Sequence, residues 1–295
     1  MQDLISIISL GSVYLLFALG MSLAWGTIGI LNFAHGSVFM FAAFTASVVL
    51  ERTTLGLVAL LLIGMCVGGL LSLLIQLLAF EQIIKRARDK RTAEMQILIG
   101  GIGVAIIPLA IAQNHTQSQP FGLNRSTFSV ESMTLGGLRI TNVGLLTVAV
   151  AILLWGAIAI WLRRSRQGLA LRSIGVDAET AALMGVDRRR LALLTMTVAG
   201  GMAGLSGVLF TLSLGAITPE SGDTLLIKAF AIIILGGVGS MLGVAFGAYL
   251  LAGAEVIILT HTNGSWVDAV SFGLIFLVLL VRPSGVFGRS EVRRT

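Results

Sequence analysis

Runs of roughly 18 or more largely apolar residues recur along this chain, and such runs are long enough, as helices, to cross the hydrocarbon core of a bilayer. The first covers about Leu4 to Trp25, followed by Phe33 to Leu50, Leu55 to Phe80, Met95 to Ala112, Val143 to Leu162 and Leu191 to Leu214. After Asp223 the chain stays apolar to Val281, broken at Gly236-Gly237-Val238-Gly239-Ser240 and at His261-Thr262-Asn263-Gly264-Ser265. Charged residues make up 12% of the 295, against about 25% in soluble globular chains. That deficit excludes an ordinary cytosolic enzyme and a disordered chain. Many glycines and few prolines fit helices packed closely in lipid. The expected fold is an all-α polytopic membrane protein of about 8–10 segments, forming one transmembrane domain over 1–295 with Gly-interrupted helices in both halves.

Basic residues in short loops set the orientation. Lys85, Arg86, Arg88, Lys90 and Arg91 follow the third run. Arg163, Arg164, Arg166, Arg172, Arg188, Arg189 and Arg190 lie in the loop spanning about 163–190, and Arg282, Arg289, Arg293 and Arg294 in the tail. These three places are expected in the cytoplasm. The loop of about 113–142 and the stretch Gly215 to Asp223 hold only Arg125 and Arg139, and are expected outside. Three crossings from an outside N-terminus then reach the first basic loop. An odd number must join Asp223 to the tail, and Leu225 to Leu235, Met241 to Thr260 and Trp266 to Val281 supply three. The first of these is too short to span as a straight helix, so a broken or partly inserted element is expected there. No cleavable signal peptide is expected, since Met1-Gln2-Asp3 carries no Lys or Arg. The net charge of +6 is explained by topology, without nucleic acid.

Several chemistries lack their residues. None of the lysines, Lys85, Lys90 and Lys228, sits in a phosphate-cradling G-x-x-x-x-G-K-[ST] loop. His35, His115 and His261 are far apart, without Cys or carboxylates at metal-ligand spacing, and the single Cys66 excludes a disulfide framework. No G-x-S-x-G or H-E-x-x-H occurs. Asn114-His115-Thr116, Asn124-Arg125-Ser126 and Asn263-Gly264-Ser265 match the glycosylation pattern, which matters only in a eukaryotic secretory pathway. The expectation is a chain with no catalytic residues, no metal and no ATPase site of its own.

Three constellations remain. In Gly29-Ile30-Leu31-Asn32-Phe33-Ala34-His35-Gly36, Asn32 and His35 stand at the edge of hydrocarbon between glycines. This reads either as a broken helix lining a pathway or as a short cytoplasmic turn. Leu235-Gly236-Gly237-Val238-Gly239-Ser240 interrupts the other half, as paired breaks do in transporters. Gly239, Gly243 and Gly247 also form a small-residue stripe, whose plain reading is helix packing. In the loop of about 163–190, Asp177 is a suitable N-cap, Glu179 lies in the first turn, and Gly185 is a C′ stop. Ala181, Ala182, Leu183 and Met184 put apolar groups on a helix with no lipid to bury them. That calls for a partner groove, or for folding back onto the bundle. Among single residues, Lys228 is expected to snorkel and Glu255 to sit near the outer water boundary. Gln76, Gln96 and Gln113 read only as weak donors between helices.

The segments G-I-L-N-F-A-H-G at Gly29 to Gly36, R-S-I-G-V-D-A-E-T-A-A-L-M-G-V-D at Arg172 to Asp187, and K-A-F-A-I-I-I-L-G-G-V-G-S at Lys228 to Ser240 resemble the branched-chain amino acid ABC importer permeases. The match is closest to the subunit without an N-terminal extension, and covers essentially the whole chain. The resemblance implies a second homologous permease subunit, two ATPase subunits that bind ATP and Mg, and a periplasmic solute-binding protein docking on the loop of about 113–142. It implies a bacterial inner-membrane location with a cytoplasmic C-terminus. Asp177, Glu179, Ala181, Ala182, Leu183, Met184 and Gly185 would form the ATPase-coupling helix. Asn32, Phe33, His35 and Gly36, with Gly236, Gly237, Gly239 and Ser240, would flank the translocation pathway.

The cargo expected is a branched-chain or other hydrophobic amino acid, with urea, short amides or aromatic carboxylates as the alternative. An ion-coupled secondary transporter would need buried ionisable relays, for which the spans offer Glu255 and His35. A passive channel would need no docking helix, and a membrane enzyme would need clustered catalytic groups.

Overall fold

A computed structural model describes residues 1–123, 128–135 and 138–262, with separate positions between 266 and 288. The chain forms α1 (Gln2–Ile28), α2 (His35–Arg52), α3 (Leu57–Ile75), a π-helical turn (Gln76–Phe80), α4 (Glu81–Arg86) and α5 (Lys90–Thr116). Then come β1 (Phe121–Gly122), β2 (Ser132–Leu135), β3 (Leu138–Thr141), α6 (Asn142–Arg164), α7 (Arg166–Val176), α8 (Ala178–Leu183) and α9 (Arg188–Leu214). β4 (Ala216–Ile217), α10 (Ser221–Gly236) and α11 (Met241–His261) complete the described elements. Among the described residues, six helical stretches are long and apolar enough to cross a membrane: Gln2–Ile28, Leu57–Arg86, Arg91–Thr116, Asn142–Arg164, Arg188–Leu214 and Met241–His261. The fold is thus an all-α polytopic membrane protein. The run Trp266 to Val281, the sequons at Asn124 and Asn263, and Arg125, Arg289, Arg293 and Arg294 lie wholly or largely outside the described residues.

Burial sorts the helices. α1 and α9 are central, with Leu16, Phe17, Leu19, Leu23, Met196 and Leu209 among the fully buried side chains. α3, α5 and α6 turn Val58, Leu70, Ile99, Ile106, Leu153 and Ile160 outward, the surface expected of helices whose outer face meets lipid. Glycine sets the closest approach. On α3, Gly64 and Gly68 pack backbone-to-backbone against Gly200 and Gly204 of α9, a small-xxx-small stripe on each helix. Without a hydrophobic drive between helices in lipid, this close contact is what holds them together.

Two faces of the bundle follow from polar contacts. At one end, Gln2 bonds the Arg139 backbone through both amide groups, Gln113 donates to Glu220 (2.7 Å), and His115 meets Glu51 (3.3 Å). β1 pairs with β4 and β2 with β3, both antiparallel, at this loop face. The loop of about 113–142 is thus partly laddered, because Phe121–Gly122 finds a second segment, Ala216–Ile217, that only the fold brings near. At the opposite, basic face, Glu81 holds both Lys85 (2.6 Å) and Arg189 (2.8 Å), joining α4 to the start of α9.

Candidate functional site

The two glycine-rich breaks meet. The N-terminus of α2 does not lie at the basic face. His35 Nε2 stands 3.2 Å from the Phe17 carbonyl, its ring packs on Phe17, and a Cβ at Gly20 would lie 3.2 Å from it. Gly20 precedes the end of α1 by eight residues, so the chain turns back about 12 Å before α2 begins. The segment Gly29 to Ala34 thus folds back alongside the end of α1, and α2 starts beside the middle of that helix. α10 begins at the same depth, because Gly222 packs backbone-to-backbone on Gly36. At 16 residues it spans about 24 Å, less than the hydrocarbon core, as its short apolar run predicts.

Further contacts tie the breaks together. The Phe33 and Phe230 rings lie 4.9 Å apart, and Trp25 stacks edge-on against Phe230. A Cβ at Gly26 would come within 2.5 Å of Gly239. In the breaks Asn32 is buried and Ser240 half-buried, and each caps local backbone. Asn32 Oδ1 accepts from the Ala34 amide (2.9 Å), and Ser240 caps α11 by accepting from Gly243 N (3.1 Å). Gly237 has φ 95°, open to glycine at little cost, and lets the chain leave α10 sharply. The orphan carbonyls of that helix end, Leu235 and Gly236, accept from Val286 (2.8 Å) and Phe287 (3.1 Å) of the tail. Within the stripe noted in the sequence, Gly243 and Gly247 pack on Gly236 and Ile232 of α10, so their role is helix packing.

One cluster overturns two expectations. Lys228 does not snorkel, and Glu255 does not sit at a water boundary. Lys228 Nζ lies 2.9 Å from Glu255 Oε2 and 3.0 Å from the Tyr14 hydroxyl, which itself donates to Glu255 Oε2 at 2.6 Å. Glu255 is 2% exposed and Tyr14 3%, on α11 and α1. Sequence reasoning took each charge singly, when the partners are 27 and 241 residues apart. A signal was present: both of the chain's tyrosines fall in apolar runs, where a hydroxyl needs a partner. The second, Tyr249, meets Ser12 (3.1 Å) at the same α1–α11 contact.

At the basic face, α8 forms as its capping residues foretell. The Asp177 carboxylate accepts from the Glu179 and Thr180 amides (3.0 and 3.1 Å) and from the Thr180 hydroxyl. These bonds, the Thr180 hydroxyl first, hold its pKa below the ordinary Asp value. At the other end Gly185, φ 85°, closes a Schellman motif: its amide reaches Ala182 O, and that of Val186 reaches Ala181 O. Ala181, one of the four apolar residues of this helix, is buried, because α8 folds that side onto α7. Leu183 (87% exposed) and Met184 (81%) project, as does Val176 (90%), which the sequence reading passed over. α7, also unforeseen as a separate element, buries Leu171 and Ile174 and runs against the end of α1.

The family described as "Branched-chain amino acid transport system / permease component" matches residues 4–279. Among curated relatives, the high-affinity branched-chain amino acid transport system permease protein BraD of Pseudomonas aeruginosa is 31% identical, covering 100% of this chain and 97% of its own. LivH of Salmonella typhimurium, described in the same words, is 31% identical over the same shares. The probable branched-chain amino acid transport permease protein LivH of Methanocaldococcus jannaschii is 26% identical, over 94% of this chain and 89% of its own. No solved structure matches. Full-length similarity, together with a bundle of membrane-length helices, shows that this chain belongs to the branched-chain amino acid transport permease family.

Proposed function

We propose that this chain is the transmembrane subunit of an ATP-driven importer for branched-chain or other hydrophobic amino acids, in a bacterial inner membrane with the basic face toward the cytoplasm. Two permease subunits pair with the pathway between them, two ATPase subunits holding ATP and Mg dock on the basic face, and an external solute-binding protein delivers cargo to the loop face. The observation that carries this reading is α8: a helix capped at both ends, with Leu183 and Met184 protruding where neither lipid nor the bundle covers them. Its partner is a groove on the ATPase, the helix-in-groove mode of recognition. Burying each such side chain contributes about 1.5–3 kcal/mol.

Transmission follows the chain. Closure of the ATPases moves α8, α7 carries the movement to the end of α1, and the Arg189–Glu81 contact carries it to α4 and α3. Differential contacts of the closed ATPase with two bundle arrangements supply the free energy of switching. The breaks at Asn32 to Gly36 and Gly236 to Ser240 are where the two arrangements differ.

The test is uptake of radiolabelled leucine into right-side-out vesicles loaded with ATP, with the solute-binding protein outside. ATP drives uptake in this reading, and a proton gradient alone does not. Uptake that persists without ATP but with a proton gradient overturns it in favour of a secondary transporter.

A further inference from the structure

A buried ion pair is a poor way to stabilise a helix bundle. The desolvation of both charges roughly cancels their attraction, and well-packed apolar residues of similar volume do as well or better. An ionisable group inside a membrane-spanning helix is therefore by default a functional hypothesis. Unlike the ion pairs at Glu81, Glu51 and Asp187, which sit near helix ends, the Lys228–Glu255 pair lies in helix interiors. Tyr14 is midway along the 27-residue α1, and Lys228 midway along the 16-residue α10.

Three further features bear on what the pair does. First, Lys228 is carried by the short helix α10, which ends at the Gly236–Gly237 break. Second, three helices meet at one carboxylate oxygen: Glu255 Oε2 takes both the Lys228 ammonium and the Tyr14 hydroxyl. Third, Lys228 is the less enclosed partner, its side chain 14% exposed against 3% for Glu255.

We propose that Lys228, Glu255 and Tyr14 form the subsite that receives the zwitterionic head of an α-amino acid during passage. This proposal rests on the amino-acid importer reading above. In the empty state the two charges satisfy each other. An entering amino acid parts them: its carboxylate takes the Lys228 ammonium, and its ammonium takes the Glu255 carboxylate. Tyr14, hydrogen-bonded to both partners, donates to whichever carboxylate is near. One neutral pair is exchanged for two charge-matched contacts, so no net charge enters the apolar bundle at any stage. An uncharged solute offers nothing to part the pair. The site therefore selects the head group common to all amino acids, leaving the side chain to be chosen elsewhere.

The experiment uses the complete importer in proteoliposomes, with L-leucine as the probe and three readouts: size-exclusion homogeneity, ATP hydrolysis stimulated by the loaded binding protein, and leucine uptake. Lys228→Met combined with Glu255→Leu removes both charges without leaving one orphaned. The expected result is a homogeneous complex that retains stimulated hydrolysis within about threefold of the unaltered importer, with uptake reduced at least 100-fold. Lys228→Glu combined with Glu255→Lys keeps a pair but reverses it, and uptake is expected to fall at least tenfold; this variant decides the matter if the apolar one fails to assemble. Uptake near the original level in either double variant assigns the pair a structural role only and overturns the proposal. Parallel loss of stimulated hydrolysis and uptake in both doubles marks a mechanical latch, and overturns it too. Should the unaltered importer move no leucine with ATP present, the importer reading itself fails, and the subsite with it.

Discussion

Gly204 of α9 and Gly64 of α3 face each other so closely that neither has room for a Cβ: one built on Gly204 would overlap the Gly64 carbonyl. The contact lies in the interface between a central helix and one whose other side is exposed, and it fixes how near the two can come.

Gly204→Ala should lower stability by about 1–3 kcal/mol, the usual cost of forcing a methyl into a filled contact. Gly156 on α6 has open space around its Cβ position, so Gly156→Ala should be neutral or stabilising by up to about 1 kcal/mol through helix propensity. Thermal unfolding in detergent compares the two. Equal midpoints would show that the α3–α9 glycines do not set the packing.

Leu183→Asp and Met184→Asp should each weaken co-purification of the ATPase at least tenfold while leaving the bundle folded, because both side chains are exposed here. Ala182→Glu should do the same. Ala181→Leu should act differently, lowering thermal stability by pushing α8 off α7, since Ala181 is 4% exposed. A co-purification assay with a parallel melting curve separates the two effects.

Asp177→Ala should fray α8 and reduce ATP-driven uptake several-fold, whereas Asp177→Asn, also a good cap, should retain most of it. The pH dependence has a definite sign. A carboxyl held below its ordinary value stabilises the helix above that value, and the stabilisation is lost only as pH falls through the depressed one. Hydrogen exchange at the Glu179 and Thr180 amides should therefore show unchanged opening between pH 8 and about pH 5, after correction for intrinsic rates. An opening equilibrium that shifts across that range would contradict the cap.

Glu81→Gln should uncouple more than it destabilises. It leaves Arg189 and Lys85 without their shared carboxylate at the junction of α4 and α9, where the proposed movement of α8 passes. The expected outcome is ATPase binding within about twofold of normal and uptake reduced at least fivefold. Glu81→Arg with Arg189→Glu should recover part of the uptake. Loss of ATPase binding in the single variant would place Glu81 in the docking surface instead.

Features that depend on a local stretch of chain were legible before the fold. The α8 cap and stop need only Asp177, Thr180 and Gly185, all within one helical turn or two, and they form as their spacing requires. The shortness of α10 was readable from Leu225 to Leu235 for the same reason. The depth of His35 was not, because it depends on the return of the Gly29 to Ala34 segment alongside α1. Nor was the inward turn of Ala181, which depends on where α7 lies.

The sequence alone determined that the chain enters lipid and which loops are basic, because the cost of burying backbone and charge in hydrocarbon leaves few alternatives. The motif order, and the full-length similarity it carries, placed the chain in its family. Only the tertiary structure decided which side chains meet. Lys228, Glu255 and Tyr14 read as isolated polar residues along the chain, and become one cluster when three helices pack together. Apolar periodicity says how deep a residue can go, but in lipid every helix face is equally apolar, so partners are chosen by close backbone contact and by polar groups that need each other.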